Sequence, residues 1–141
     1  MPEYKSSWKS KSTTRETPWG SEIMWTATTG CAGKCLSIKK GLRTSLKYYK
    51  IKDEVLFLYK GKILVTHGDE QTLSDPERHP YVESMLSPGE MVIIQSSCPY
   101  RIEAIEDSEV IEIGTRKPSG LMRIMVEDDF GRVKKEENGE F

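Results

Sequence analysis

The sequence predicts an all-β, single-domain barrel of two antiparallel sheets. Short runs rich in β-branched and aromatic residues follow one another from 35 to 126. Turn residues interrupt them at the intervals of a sandwich or barrel, and no segment shows a convincing helical period. The length, 141 residues, is that of about one domain with a modest core.

Taken in order, residues 1–14 are rich in Ser, Thr and Lys and have almost no apolar periodicity, so burial cannot repay their ordering entropy. They are expected to form a loose arm, whose Lys5, Lys9 and Lys11 are solvated. Cys31-Ala32-Gly33-Lys34-Cys35 lacks the spacing of a zinc or redox knuckle and is expected to be a tight hairpin turn flanked by reduced thiols. Strands are expected at 35–40, 44–50, 54–59, 62–66, 81–86, 91–95, 100–105, 109–114 and 122–126. Lys40-Gly41, Lys60-Gly61-Lys62, Pro88-Gly89 and Glu106-Asp107-Ser108 separate them. The polar stretch 67–80 reads as a surface loop, and His67 and His79 within it carry no expected role. The domain proper is 15–132, and 133–141 is a polar tail.

Composition narrows the function. A formal net charge of -1 gives no field toward nucleic acid or an anionic membrane, and no apolar stretch approaches the roughly 20 residues of a membrane helix. The N-terminus lacks the apolar centre of a secretory signal, so a cytoplasmic protein is expected. The period of two then sorts the strands. If Lys47 and Tyr49 face the interior, Arg43 and Ser45 share that face, with Glu54, Leu56 and Leu58 on the next strand and Tyr100 and Ile102 on a later one. Val55, Phe57 and Tyr59 point away, a face that needs cover from the N-terminal segment or a second chain, and a homodimer is expected.

One spacing is more specific. Gly41, five residues, Lys47-Tyr48-Tyr49, four residues, Glu54, six residues and Gly61 resemble the first cupin motif; Gly89, Gln95, Ser97, Tyr100 and Ala104 can be laid on the second. The resemblance implies a cupin barrel (double-stranded β-helix, or jelly roll) with Lys47, Tyr49 and Tyr100 standing where metal-binding histidines are usual. Pro18-Trp19-Gly20, Leu46-Lys47-Tyr48-Tyr49 and Glu127-Asp128-Asp129-Phe130-Gly131-Arg132 are similar to the opening strand, central run and closing motif of the cupin domain of type II mannose-6-phosphate isomerases. Carried over, that family's site falls on Lys47, Tyr49, Glu54 and Tyr100, followed by Arg101. Two tyrosines, a lysine and one glutamate are poor donors for a divalent ion, so no metal and no other cofactor is expected.

Arg43, Lys47 and Arg101 offer positive charge, and Ser45, Tyr49 and Tyr100 offer hydroxyls, a set suited to a small polar or phosphorylated ligand such as a sugar phosphate. Lys47 and Glu54 are expected to pair. Three readings stay open: a metal-independent binder using Arg43, Ser45, Lys47, Tyr49, Glu54, Tyr100 and Arg101; a sugar-phosphate isomerase or epimerase with Lys47 as electrophile and Glu54 as base; and a non-catalytic interaction protein with a filled barrel.

Overall fold

A computed structural model of the protein describes residues 4–25, 30–115 and 123–133. The described residues form eleven strands: β1 (Thr13–Thr17), β2 (Gly20–Trp25), β3 (Cys31–Ile38), β4 (Leu46–Tyr49), β5 (Glu54–Lys60), β6 (Ile63–His67), β7 (Val82–Leu86), β8 (Met91–Ile94), β9 (Tyr100–Ala104), β10 (Ser108–Thr115) and β11 (Arg123–Glu127). One sheet runs β1-β2-β3-β10-β5-β8 and the other β11-β4-β9-β6-β7. Every pairing between them is antiparallel. This is the expected single-domain jelly roll, and no described helix is long and apolar enough to cross a membrane.

All nine expected strands are present, with shifted ends, and two more precede them. Thr13 and Thr14, assigned to the arm, already belong to β1, while Pro18-Trp19 is the turn of the β1–β2 hairpin rather than a strand. The 31–35 run is not a hairpin turn. It lies inside β3, where Ala32, Lys34, Leu36 and Ile38 alternate inward and Cys31 and Cys35 face out. A lysine at an inward position hides the alternation, because it interrupts an otherwise apolar row.

The interior divides as the period of two predicts. Leu36, Ile38, Leu56, Leu58, Ile63, Val65, Ile102, Ala104 and Val110 are buried together as an aliphatic floor. Charged residues collect at the other end of the same strands: Glu22, Lys34, Lys47, Glu54 and Glu112 are all buried. The 67–80 stretch is a compact surface turn, closed by His79 on Asp69 at 2.9 Å and by Asp69 N–H donating to Thr72 Oγ1 at 2.8 Å. Lys52 and Lys34, at the polar end, find their carboxylates within the barrel.

Candidate functional site

The polar end is assembled by strand register. Lys47 on β4 stands opposite Tyr100 on β9, Glu112 on β10 opposite Lys34 on β3, and Gly114 opposite Glu54 on β5. Glycine at 114 is required for a close approach: a Cβ there would fall 2.8 Å from Lys52 Cε, so this position opens the path by which Lys52 enters the barrel from the turn before β5.

Lys52 has no exposed side-chain surface. Its ammonium lies 3.0 Å from Glu54 Oε2 and 3.3 Å from Glu112 Oε2, and 4.2 Å above the centre of the Tyr49 ring. Nearer the mouth, Glu22 accepts from Arg15 Nε at 2.9 Å and lies 3.5 Å from Lys34 Nζ. Charges of opposite sign thus alternate from rim to floor. Lys47 is the exception. Its Nζ donates only to neutral oxygens, Ser45 C=O at 3.2 Å and Thr44 Oγ1 at 3.3 Å, and sits 4.4 Å over the Tyr100 ring. Such a cation-π contact supplies part, not all, of what a carboxylate would.

Electrostatics follow from this arrangement. Burial lowers the Lys47 pKa to about 7, against the pull of Glu112 and Glu54. Burial, and then the charge of Glu112, raises Glu54 to about 7 despite Lys52. Burial would raise Glu112 too, but Lys52, Lys34 and Lys47 together outweigh it and bring its carboxyl down to about 2. Tyr49 and Tyr100 are raised, first by burial and then by Glu54, so both keep their protons. Lys52 lies within ion-pairing distance of Glu54, and the Tyr100 hydroxyl hydrogen-bonds to the same carboxyl.

Above it opens a cavity of about 210 Å³. Lys47, Tyr49 and Ser45 line it, as expected, with Thr44, Trp19 and Glu112. Glu54 and Tyr100 are interior, as expected, but lie beneath and outside this lining. The expected Lys47–Glu54 ion pair is absent, because Lys52 reaches Glu54 first. Arg43 does not share the face of Lys47. The strand begins only at Leu46, and the half-exposed Arg43 turns outward to bind Asp129 through two bonds of 2.6 and 2.8 Å. Arg101, adjacent in β9 to the inward Tyr100, points to the opposite side, where it donates to Thr44 C=O at 3.2 Å and lies 3.6 Å from Asp129. These two arginines form a separate outer cluster.

The closing 127–132 motif braces the site: Asp128 holds Arg132 with two side-chain bonds of 2.9 Å, and Arg132 reaches the cavity wall. His67 donates to or accepts from Ser84 at 2.8 Å and His79 binds Asp69, so neither joins the site.

A divalent metal does not fit the residues present. Around Glu54 stand Lys52, Lys47 and two protonated tyrosines, and among the described residues no group of three or more His, Cys, Asp or Glu could hold an ion.

No family model matches the sequence, and no curated protein matches it. Solved structures do. An oxalate decarboxylase from Bacillus subtilis at pH 4.6 superposes with a TM-score of 0.67 at 17% identity, over 82% of this chain and 30% of that one. The KdgF protein from Halomonas sp. gives 0.61 at 17% identity, over 75% of this chain and 88% of that one. A formate complex of the Lactobacillus farciminis oxalate decarboxylase gives 0.62 at 18%, over 77% and 31%. The chain spans less than a third of the two decarboxylases. Both kinds of neighbour are cupins, and the barrel described above has the cupin fold. Neither is a mannose-6-phosphate isomerase, so that finer resemblance rests on the sequence motifs alone.

Proposed function

We propose that the cavity binds a small anionic, hydroxyl-bearing ligand such as a sugar phosphate, without a metal, and that Lys47 anchors its charge. The observation that carries this is a buried, cavity-lining ammonium whose hydrogen bonds go only to neutral oxygens. A buried cation without a carboxylate costs stability, and an anion entering from solvent would remove that cost. Thr44 and Tyr49 supply hydroxyls, and Arg132 adds positive charge at the wall. Trp19 and Leu36 give an apolar side suited to the C–H face of a sugar ring. At about 210 Å³ the cavity is smaller than the roughly 300–1,000 Å³ of drug-sized pockets, which favours a ligand of about one sugar ring.

The isomerase reading is less well supported. It needs a base beside the substrate, but Glu54 lies beneath the lining, while Glu112, which does line the cavity, sits at about 2 and is too weak a base near neutral pH. Turnover of mannose 6-phosphate would reverse this ranking. A barrel that serves only as a surface is disfavoured by the open cavity itself.

Calorimetry across pH tests the proposal. Lys47 binds anions only when protonated, and Glu54 repels them only when ionised, so both act in the same direction as pH rises through about 7. Affinity for mannose 6-phosphate, and for sulfate as a probe whose own charge is constant over this range, is expected to fall by about tenfold or more from pH 6 to pH 8. Absence of binding at every pH, or a flat profile for sulfate, would sink the proposal.

Metal dependence is checked separately. Chelation is expected to leave both the melting temperature and anion binding unchanged, whereas elemental analysis finding about one divalent ion per chain after dialysis would show that the metal-free reading is wrong.

A further inference from the structure

Among the described residues three lysines are buried, and their amines are engaged differently. Lys34 lies 3.5 Å from Glu22, and Lys52 lies 3.0 Å from Glu54 and 3.3 Å from Glu112, so each is tied to a carboxylate. Lys47 lines the cavity, yet its Nζ donates only to Ser45 C=O at 3.2 Å and Thr44 Oγ1 at 3.3 Å. Neutral acceptors hold an ammonium less firmly than a carboxylate does.

The groups that face this nitrogen come from five other strands. Tyr100 on β9 lies under it at 4.4 Å, and Glu54 on β5, Glu112 on β10, Lys34 on β3 and Arg123 on β11 act on it through their charges. Burial is the largest influence and disfavours the ammonium, against the pull of the two carboxylates. With Lys47 brought down to about 7, about half of its amine is neutral at pH 7, roughly a thousand times the fraction in an ordinary lysine. A desolvated, neutral lysine amine is a nucleophile toward carbonyl carbon.

We propose that the Lys47 amine captures the aldehyde of a small hydroxyl-bearing ligand, such as an open-chain sugar phosphate, as an imine. The capture presumes the ligand-filled cavity proposed above and gives that ligand a covalent hold. The ammonium form attracts the anion and the amine form attacks the carbonyl, and near pH 7 both are present in similar amounts. In the first step the Nζ lone pair bonds to the carbonyl carbon, the C=O π pair moves to oxygen, and a proton passes from nitrogen to oxygen to give a carbinolamine. The C–O bond then breaks, the nitrogen lone pair forms C=N, and the oxygen departs as water with both hydrogens of the amine. No oxidant or reductant is needed. Tyr49 lines the same cavity and keeps its proton, so its phenol can lend that proton to the oxygen and recover one from the nitrogen. Lys47 is only 7% exposed, which keeps bulk water from the imine.

The test uses the full chain with glycolaldehyde, an uncharged two-carbon hydroxyaldehyde, and cyanoborohydride to reduce the imine to a stable amine. Peptide mass mapping at limiting aldehyde is expected to find the first adduct on Lys47, about a hundredfold or more ahead of the exposed Lys60 at pH 7. Comparing both lysines in one sample cancels the pH dependence of the reductant. From pH 7 to pH 9 an ordinary amine gains neutral form steeply while Lys47 gains little, so the ratio should fall about tenfold or more. Lys47→Met, with its fold checked by circular dichroism, should leave only the slow adducts of exposed lysines. Equal labelling of Lys47 and Lys60, an unlabelled Lys47, or a ratio that stays constant from pH 7 to pH 9 overturns the proposal, and each is read on the wild type. Because glycolaldehyde carries no charge, a Lys47 adduct in a protein that binds no sulfate would count against the anion reading alone. Sulfate binding without an adduct would count against the imine alone.

Discussion

Replacing Lys47 by methionine is expected to stabilise the protein and abolish its anion binding together. The methionine keeps an aliphatic stem of similar length in a buried position and removes a charge whose hydrogen bonds go only to neutral oxygens. A buried cation with no carboxylate in hydrogen-bond reach carries a desolvation cost of several kcal/mol, part of which its removal recovers. The sign depends on pH. Because the folded-state pKa of Lys47 is lowered, to about 7 from an ordinary 10.5, its protonation destabilises the native state, fully so below about pH 7, and the penalty fades as pH rises toward 10.5. The gain in melting temperature should therefore be large at pH 6 and small near pH 10. Calorimetry of the same variant should show no binding of mannose 6-phosphate. A variant less stable than wild type at pH 6, or one that still binds the ligand, would remove Lys47 from the role assigned to it.

Much of this site was legible in the sequence. Alternation along β4, β5 and β9 correctly turned Lys47, Tyr49, Glu54 and Tyr100 inward, because each of those strands has one clearly apolar or motif-bearing face. It failed where alternation loses its meaning. Arg43 precedes the regular strand, so counting by two from Lys47 carries no information about it. Lys52 lies in a turn, where no period applies, and its only sequence trace is the glycine at 114 that makes room for it. Glu112 was hidden for a different reason. Ile111 and Ile113 on the outer face of β10 are as apolar as Val110 within, so the strand does not declare which side is the core. In β3, Lys34 broke an inward row that would otherwise have been read as a strand from its start. The charged interior and the apolar exterior thus obscured the sequence signal together.

Replacing Lys52 by methionine is expected to have the opposite effect to Lys47→Met. The ammonium of Lys52 is shared by Glu54 and Glu112, so its loss leaves two buried carboxyls with Lys34 and Lys47 as the remaining positive charges acting on Glu112. Removing one partner from a buried pair typically costs about 3–5 kcal/mol. Here too pH decides the size. The lowered pKa of Glu112, about 2, contributes stability that is present above its ordinary value of 4.5 and lost as pH falls through 2, and Lys52 is the largest of the charges that hold it there. The variant should therefore be most destabilised at pH 7 and above, and should approach wild type near pH 4, where the carboxyls can take up protons. Adding Glu54→Gln to Lys52→Met removes one of the stranded charges and should recover part of the loss, giving a coupling energy of about 1–3 kcal/mol in a double-mutant cycle. Denaturant unfolding of the wild type, both single variants and the double variant at pH 4.5 and 7.5 measures all of this. If Lys52→Met alone does not fold at pH 7.5, its recovery at pH 4.5 or in the double variant still reads out the pairing. Equal stability of Lys52→Met and wild type at pH 7.5, or strict additivity of the two substitutions, would mean that the Glu112–Lys52–Glu54 cluster does not hold the floor of the barrel together.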